Sequence, residues 1–191
     1  MGTWKFDPMH TQVEFSAKHL GMMTVRGHFT EVTASGEIHP DQPERSKIEA
    51  TINTASIRTH NEQRDRDLRS SSFLEIEKYP TMSFKSTKIE KTGDATYNLT
   101  GDLTIKATTR PVTFEVVNYG EFNDPRMGHR YGYEANTKIN RNDFGMNFDA
   151  ILDGKLVVSK EVQIHIEGEI LEAAEEPAAT KQTQETGSQA R

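Results

Sequence analysis

Apolar and polar residues alternate with period two over most of this chain. Tyr97, Leu99, Gly101, Leu103 and Ile105 fall on one face, with Asn98, Thr100, Asp102 and Thr104 on the other, as a strand buried on one side requires. The same parity recurs in Val13, Phe15, Ala17, in Val25, Gly27, Phe29, and in Ile48, Ala50, Ile52. It continues in Val112, Phe114, Val116, in Tyr131, Tyr133, Ala135, Thr137, Ile139, and in Val162, Ile164, Ile166, Gly168, Ile170. About eight strands are predicted. In Val116-Val117-Asn118-Tyr119 the alternation slips, which suggests a bulge.

Thr92-Gly93-Asp94 and Asp153-Gly154 tolerate positive φ, and Pro40-Asp41-Gln42-Pro43 cannot continue a ladder, so these segments separate strands into antiparallel hairpins. Thr59-His60-Asn61-Glu62 has capping-box spacing and is followed by helix-compatible QRDRDLRSS. One short helix near residues 60–70 is expected, then a loop carrying Phe73 and Leu74. Strands apolar on one face bury it by closing into a barrel or by stacking as two sheets, and closure also removes exposed edges.

Composition first argues against this picture. Leu, Ile, Val and Phe supply only 38 of 191 residues, close to the level at which chains tend to be disordered. One-sided strands resolve the conflict, because half of each strand is solvated. From Glu172 the sequence lacks aromatic and branched apolar residues and cannot repay the entropy of ordering. The expected organisation is a barrel domain over 1–171 and a disordered acidic tail over 172–191.

With no cysteine, disulfide frameworks, thiolate metal sites and cysteine nucleophiles are excluded. A net charge of −6 disfavours a phosphate backbone as partner, so no nucleic acid is expected. Nowhere do about 18 consecutive apolar residues occur, and no basic segment followed by an apolar run opens the sequence. A protein without an integral membrane segment, located in the cytoplasm, is expected.

Candidate chemistry is sparse. The seven histidines form no HxxH or HxxxH pair, and His28 and His165 share the polar face of their strands, so no metal site is expected. His19 has inward parity with Val13, Phe15 and Ala17, either as a hydrogen-bonded strand-end residue or as a polar contact for a ligand. Asp65 and Asp67, two apart on a helix and flanked by Arg64, Arg66 and Arg69, read as a solvated, salt-bridged face rather than an acid/base pair. Arg141-Asn142-Asp143-Phe144-Gly145 reads as a structural corner, or as a barrel-mouth contact for an anionic group. No nucleophile elbow, phosphate loop, dinucleotide fingerprint or HExxH helix occurs, and no catalytic residue is assigned.

The inward face is rich in rings: Phe15, Phe29, Phe84, Phe114, Tyr131, Tyr133. Small residues among them, Ala17, Gly27, Gly36, Ala50, Gly101, Ala135 and Gly168, leave room for an elongated apolar cavity that would select a long hydrocarbon tail. Parity places Phe15, His19, Val25, Phe29, Ile48, Ile52, Phe84, Leu99, Leu103, Phe114, Val116, Tyr131, Tyr133, Ile164 and Ile166 inside. His19 and Arg141 are the candidate head-group contacts.

Several motifs in order resemble the YceI-like family. They are Trp4-Lys5-Phe6-Asp7-Pro8-Met9-His10-Thr11, Val13 to Gly21, Val25-Arg26-Gly27-His28-Phe29, Ala55 to Thr59, Arg64 to Ser70, Phe73, Tyr79-Pro80, Leu99 to Ile105 and Arg141 to Gly145. The resemblance covers nearly all of residues 3 to 171. It implies an all-β, extended lipocalin-like antiparallel β-barrel that binds, stores or transports a polyisoprenoid, an isoprenoid quinone or another long amphiphile, with no cofactor and no catalysis. Many members carry a signal peptide. Two departures are Lys106-Ala107, where the family often has a glycine, and a Gly2-Thr3-Trp4 start without the arginine that usually packs on such a tryptophan; Trp4 is read as a barrel-closing core residue. Two alternatives are an enzyme acting on a bound lipid through His19, Asp67 or Arg141, and a stress or interaction barrel with a filled core. A homodimer is expected only because two-fold dimers are the commonest oligomers.

Overall fold

The computed structural model describes residues 3–173. In chain order the elements are β1 (Thr3–His19), β2 (Met23–Phe29), β3 (Val32–Glu37), β4 (Lys47–Asn53), β5 (Ile57–Arg58) and α1 (Glu62–Arg69). They continue with β6 (Thr81–Lys91), β7 (Thr96–Ile105), β8 (Thr108–Asp124), β9 (Gly128–Asn140), β10 (Ile151–Leu152), β11 (Lys155–Leu156) and β12 (Val158–Ala173). Ten strands form one antiparallel sheet in the order β3-β4-β6-β7-β8-β9-β12-β1-β2-β5, and β10 with β11 makes a separate hairpin. The sheet curls strongly into a half-barrel.

Ten strands rather than about eight result from one kink. Thr30 and Glu31 separate β2 from β3, and a 3-10 turn at Thr54–Ser56 separates β4 from β5, so one long bent pair is divided into two. The kink also brings the two ends of the sheet together: β3 pairs with β4 on one side of it and β2 with β5 on the other. The Thr30 N–H donates to the Ser56 carbonyl and the Asn53 N–H to the Glu31 carbonyl, which satisfies backbone groups that the bend would orphan.

Register shows why period two was so clean. Val13, Phe15 and Ala17 lie opposite Ile166, Ile164 and Val162, which in turn face Ala135, Thr137 and Ile139. The inward set therefore pairs with itself from strand to strand, and one apolar layer runs round the concave face. Bulges keep that layer in phase where the alternation fails. In β6 the register shifts between Ser86 and Lys88, which returns Ile89 to face Leu99. In β8 it shifts between Asn118 and Gly120, with Gly120 at φ 94, at the slip in the Val-Val-Asn-Tyr pattern. In β1 it shifts between Phe6 and Thr11 around Pro8, so both Phe6 and Val13 point inward despite opposite parity.

Two inward glycines are required by ring packing. A Cβ at Gly27 would overlap the Phe15 ring, and one at Gly101 would overlap the Phe84 ring and the Lys85 carbonyl. Each phenylalanine ring occupies the space over a glycine of the neighbouring strand, an aromatic cover over a glycine. Turn positions follow the sequence signals: Asp153 and Gly154 take φ 48 and 72 between β10 and β11. Lys106 also takes a positive φ, 56. Its ammonium is tethered to Glu75 Oε2 at 3.2 Å, a partner that helps hold the left-handed turn.

Helix α1 spans Glu62–Arg69, within the expected region, but its cap is Asn61, whose side chain accepts from the Arg64 N–H. Thr59 is engaged elsewhere, with its N–H and hydroxyl both donating to Asp65. Asp65 is accordingly buried, at 6% exposure, and does not belong to a solvated face; Asp67 accepts from Gln63 on the outside. The strand β12 extends to Ala173 because Glu172 pairs with Trp4 and Ala173 with Thr3, so the first two residues of the expected tail are sheet. Residues 174–191 lie outside the described residues.

Candidate functional site: an apolar cavity and its polar mouth

The concave layer encloses a cavity of about 340 Å³. Its floor is made by Ile57, by Leu68 of α1, by Phe73 and Leu74 of the following loop, and by Met146. Ile57, Leu74 and Met146 belong to the buried hydrophobic core cluster with Leu103, Ile105, Phe114 and Phe144, and Leu68 packs against it. The walls are Val13, Phe15, Phe29, Ile52, Phe84, Leu99, Val116, Ile164 and Ile166. At the other end the loop between β3 and β4, through Ile38, His39, Pro43 and Ser46, meets Phe6, Tyr133, Gly168 and Ile170. This is the mouth.

Of the residues placed inside by parity, Phe15, Phe29, Ile48, Ile52, Phe84, Leu99, Leu103, Phe114, Val116, Tyr133, Ile164 and Ile166 line the cavity. Val25 keeps inward parity opposite Ala17 without lining it. Tyr131 lies just outside, stacked on Tyr133 at 6.5 Å. His19 is exposed and does not reach the cavity. Pairing with β2 runs unbroken to His19, opposite Met23, but the strand ends there and the turn begins at Leu20 with φ 51, which leaves His19 exposed at the strand end.

Arg141 is among the residues that line the cavity, but its side chain is taken up within the protein. It is buried at 2% exposure, and its guanidinium is fully engaged. Nε donates to the Ser159 carbonyl, Nη1 to Asn142 Oδ1 and the Met146 carbonyl, and Nη2 to the Phe148 and Val158 carbonyls and Asp149 Oδ1. It ties the corner at 141–149 to the start of β12, the structural reading of the RNDFG segment. None of these bonds reaches Asp67 or His19.

Parity reasoning missed the polar group at the mouth. Trp4 packs edge-on against His129 at 5.0 Å and against Tyr131 at 5.2 Å. His129 Nε2 is 2.8 Å from Glu121 Oε2, and Nδ1 is 3.1 Å from Glu172 Oε2. The Tyr131 hydroxyl donates to the same Glu121 oxygen at 3.1 Å. Ionised carboxylates only accept, so contacts from both ring nitrogens favour the protonated imidazole over the neutral one. Hydrogen bonding to Glu121 accordingly raises the His129 pKa, with burial opposing and Glu172 adding. Glu121 is held below its ordinary range, first by His129 and then by Tyr131. Burial, followed by the Glu121 hydrogen bond, pushes the Tyr131 phenol up to about 12; burial raises Tyr133 as well. The sequence signal was weak because Glu121 follows a bulge and Glu172 lies beyond the expected barrel boundary.

Behind the mouth, the Arg130 Nη1 donates to Asp7 Oδ2 at 2.6 Å and Glu169 Oε2 at 2.8 Å, while His10 Nδ1 is 2.9 Å from Asp7 Oδ2. Asp7, His10 and Glu169 have the proximity of metal ligands, but a guanidinium already sits between the two carboxylates and fills the place of a cation. Among the described residues no helix is long and apolar enough to cross a membrane.

A curled one-sided sheet with an apolar interior is what the sequence motifs implied, and comparison decides the family. Residues 4–170 match the model of the YceI-like domain. The chain belongs to the YceI-like family. A UPF0312 protein of Serratia proteamaculans is 39% identical over 155 residues, 80% of each chain. A YceI protein of Campylobacter jejuni has a TM-score of 0.72 at 29% identity, covering 82% of this chain and 90% of that one. A polyisoprenoid binding domain from Saccharophagus degradans, implicated in plant cell wall breakdown, has a TM-score of 0.64 at 12% identity, covering 91% of this chain and 100% of that one. That last likeness shows the fold alone.

Proposed function

We propose that this YceI-like protein is a non-catalytic carrier of a long-chain isoprenoid lipid, a polyisoprenoid or an isoprenoid quinone, whose hydrocarbon chain lies in the cavity. The observation that carries this reading is the cavity wall: about 340 Å³ bounded by aliphatic and phenyl groups from the kinked pair β2–β3 round to β12. That volume lies within the range of small-molecule sites, ~300–1,000 Å³. An apolar cavity of this size binds hydrocarbon because each buried methylene contributes about 0.8 kcal/mol. A polar metabolite would lose its hydration there and find few partners. The fold shared with a polyisoprenoid binding domain supports the same ligand class. Of the residues considered for catalysis, His19 and Asp67 are exposed and do not line the cavity.

Native and denaturing mass spectra of freshly purified protein, with analysis of an organic extract, test the proposal. A stoichiometric mass released on denaturation and matching an isoprenoid is expected. Protein that carries no lipid, and takes up none after delipidation and titration with isoprenoids, would leave the filled-core alternative instead.

A further inference from the structure

In a chain of net charge −6, the end of the molecule remote from the mouth is apolar and cationic. Two loops build it. The turn between β1 and β2 exposes Met22 and Met23, at 63% and 68%, and the β10–β11 hairpin exposes Ile151 and Leu152, at 64% and 61%. Hydrogen bonds hold the loops side by side: the Leu20 N–H donates to the Val157 carbonyl at 3.1 Å, and the Val157 N–H to the Ala150 carbonyl at 2.9 Å. The hairpin takes no part in the ten-stranded sheet, so Ile151 and Leu152 fill no place in the concave layer. Large apolar side chains gathered at one tip mark a contact surface. Around them, residues 18–23 and 149–160 carry Lys18, Lys155 and Lys160 against Asp149 and Asp153. The buried Arg141 shares Asp149 with Lys160, so four cations stand against two carboxylates. Lys18 and Lys155 are exposed and form no ion pair among the described residues. The mouth also exposes Met9, Phe122 and Met127, but there the neighbours are Asp7, Glu121 and Asp124.

We infer that this tip docks the protein on the surface of a bilayer containing anionic lipid, with Met22, Met23, Ile151 and Leu152 entering the interface and Lys18, Lys155 and Lys160 facing the lipid phosphates. The apolar side chains gain by leaving water, while lysine stems lie along the apolar surface and keep their ammonium groups among the head groups. Anionic lipid attracts those cations, and the two contributions together give reversible binding. A second copy of the chain is a poorer occupant, because tip-to-tip contact would set the same lysines against one another. The corner that carries the hairpin also supplies Arg141, Met146 and Val158 to the cavity wall, so the docked surface adjoins the cavity at its floor. Docking depends on this surface alone and holds whether or not the cavity carries lipid.

Sedimentation of the full chain with vesicles tests the inference. The unaltered protein is expected to bind vesicles of equal parts phosphatidylglycerol and phosphatidylcholine at least about tenfold more tightly than pure phosphatidylcholine, and to lose that preference at high salt. Ile151→Ser/Leu152→Ser should weaken binding at least about tenfold, and Lys18→Gln/Lys155→Gln roughly fivefold for each lysine removed. Met9→Ser/Met127→Ser, at the mouth, should change nothing. The comparison of vesicles on the unaltered protein needs no variant to fold. Absence of binding to either vesicle, equal binding to both, or loss through the mouth pair rather than the tip pair would overturn the assignment. So would a dimer in analytical ultracentrifugation that Ile151→Ser/Leu152→Ser dissolves while the parent ignores vesicles, which would give the tip to a second copy. Lipid held in the cavity is read separately by native mass spectrometry, so a failure of docking and a failure of the carrier reading are told apart.

Discussion

Replacing Arg141 with methionine distinguishes a guanidinium that holds the fold from one that holds a ligand. In the folded protein its side chain serves four backbone carbonyls, those of Met146, Phe148, Val158 and Ser159, besides Asn142 and Asp149. Methionine fills similar space and donates nothing, so four buried or half-buried carbonyls lose their donor. At about 1 kcal/mol net for each hydrogen bond the loss is about 4 kcal/mol. For a chain of this size that lowers the melting temperature by roughly 10 °C. Thermal unfolding followed by circular dichroism reads this directly, and lipid occupancy is then compared by native mass spectrometry at a temperature where both proteins are folded. The expected result is a large fall in melting temperature with occupancy unchanged. A melting temperature within about 2 °C of the parent, together with lost lipid, would refute the reasoning and restore Arg141 as a head-group contact.

Three further outcomes follow from the geometry. Ala50→Phe projects a ring into the cavity between Ala34 and Phe84, and should cut isoprenoid uptake at least tenfold while the melting temperature changes little; undiminished uptake would place the chain elsewhere. Gly101→Ala forces its methyl against the Phe84 ring and the Lys85 carbonyl, an overpacking cost of about 1–3 kcal/mol readable as a lower urea midpoint, and an unchanged midpoint would contradict the ring-over-glycine packing. Asp7 is held down to about 2 from 3.8, foremost by the His10 hydrogen bond, with Arg130 and the Met9 N–H adding against burial. Its depressed pKa favours the folded state above pH 4 and loses that effect as pH falls from about 4 to 2, so Asp7→Asn should flatten the pH dependence of the urea midpoint in that window; identical profiles would show that the Asp7 cluster contributes nothing there.

What the sequence determined by itself was the face of each residue within a strand. Successive Cβ atoms alternate by covalent geometry, so Val13, Leu99, Phe114 and Ile164 could be placed on the concave side without knowing any partner strand. Local turn chemistry at Asp153-Gly154 and the slip at Val116–Tyr119 were legible for the same reason, since both depend on a few neighbouring residues. The tertiary structure decided whatever depends on a partner distant in sequence. His19 shares the parity of Phe15, but it ends β1 opposite the exposed Met23 and is itself exposed. Residue types at Arg141–Gly145 left a structural corner and an anion contact both open, until the carbonyls of Met146, Phe148, Val158 and Ser159 converge on the Arg141 guanidinium. Asp65 reads as a solvated helix residue until Thr59 folds back to donate to it. Glu121, His129 and Glu172 come from three strands and meet only because β8, β9 and β12 lie side by side at the mouth. Alternation records which side of a sheet a residue occupies, whereas charge pairing and hydrogen bonding depend on which strand lies alongside, and that is set by the register of the whole curled sheet.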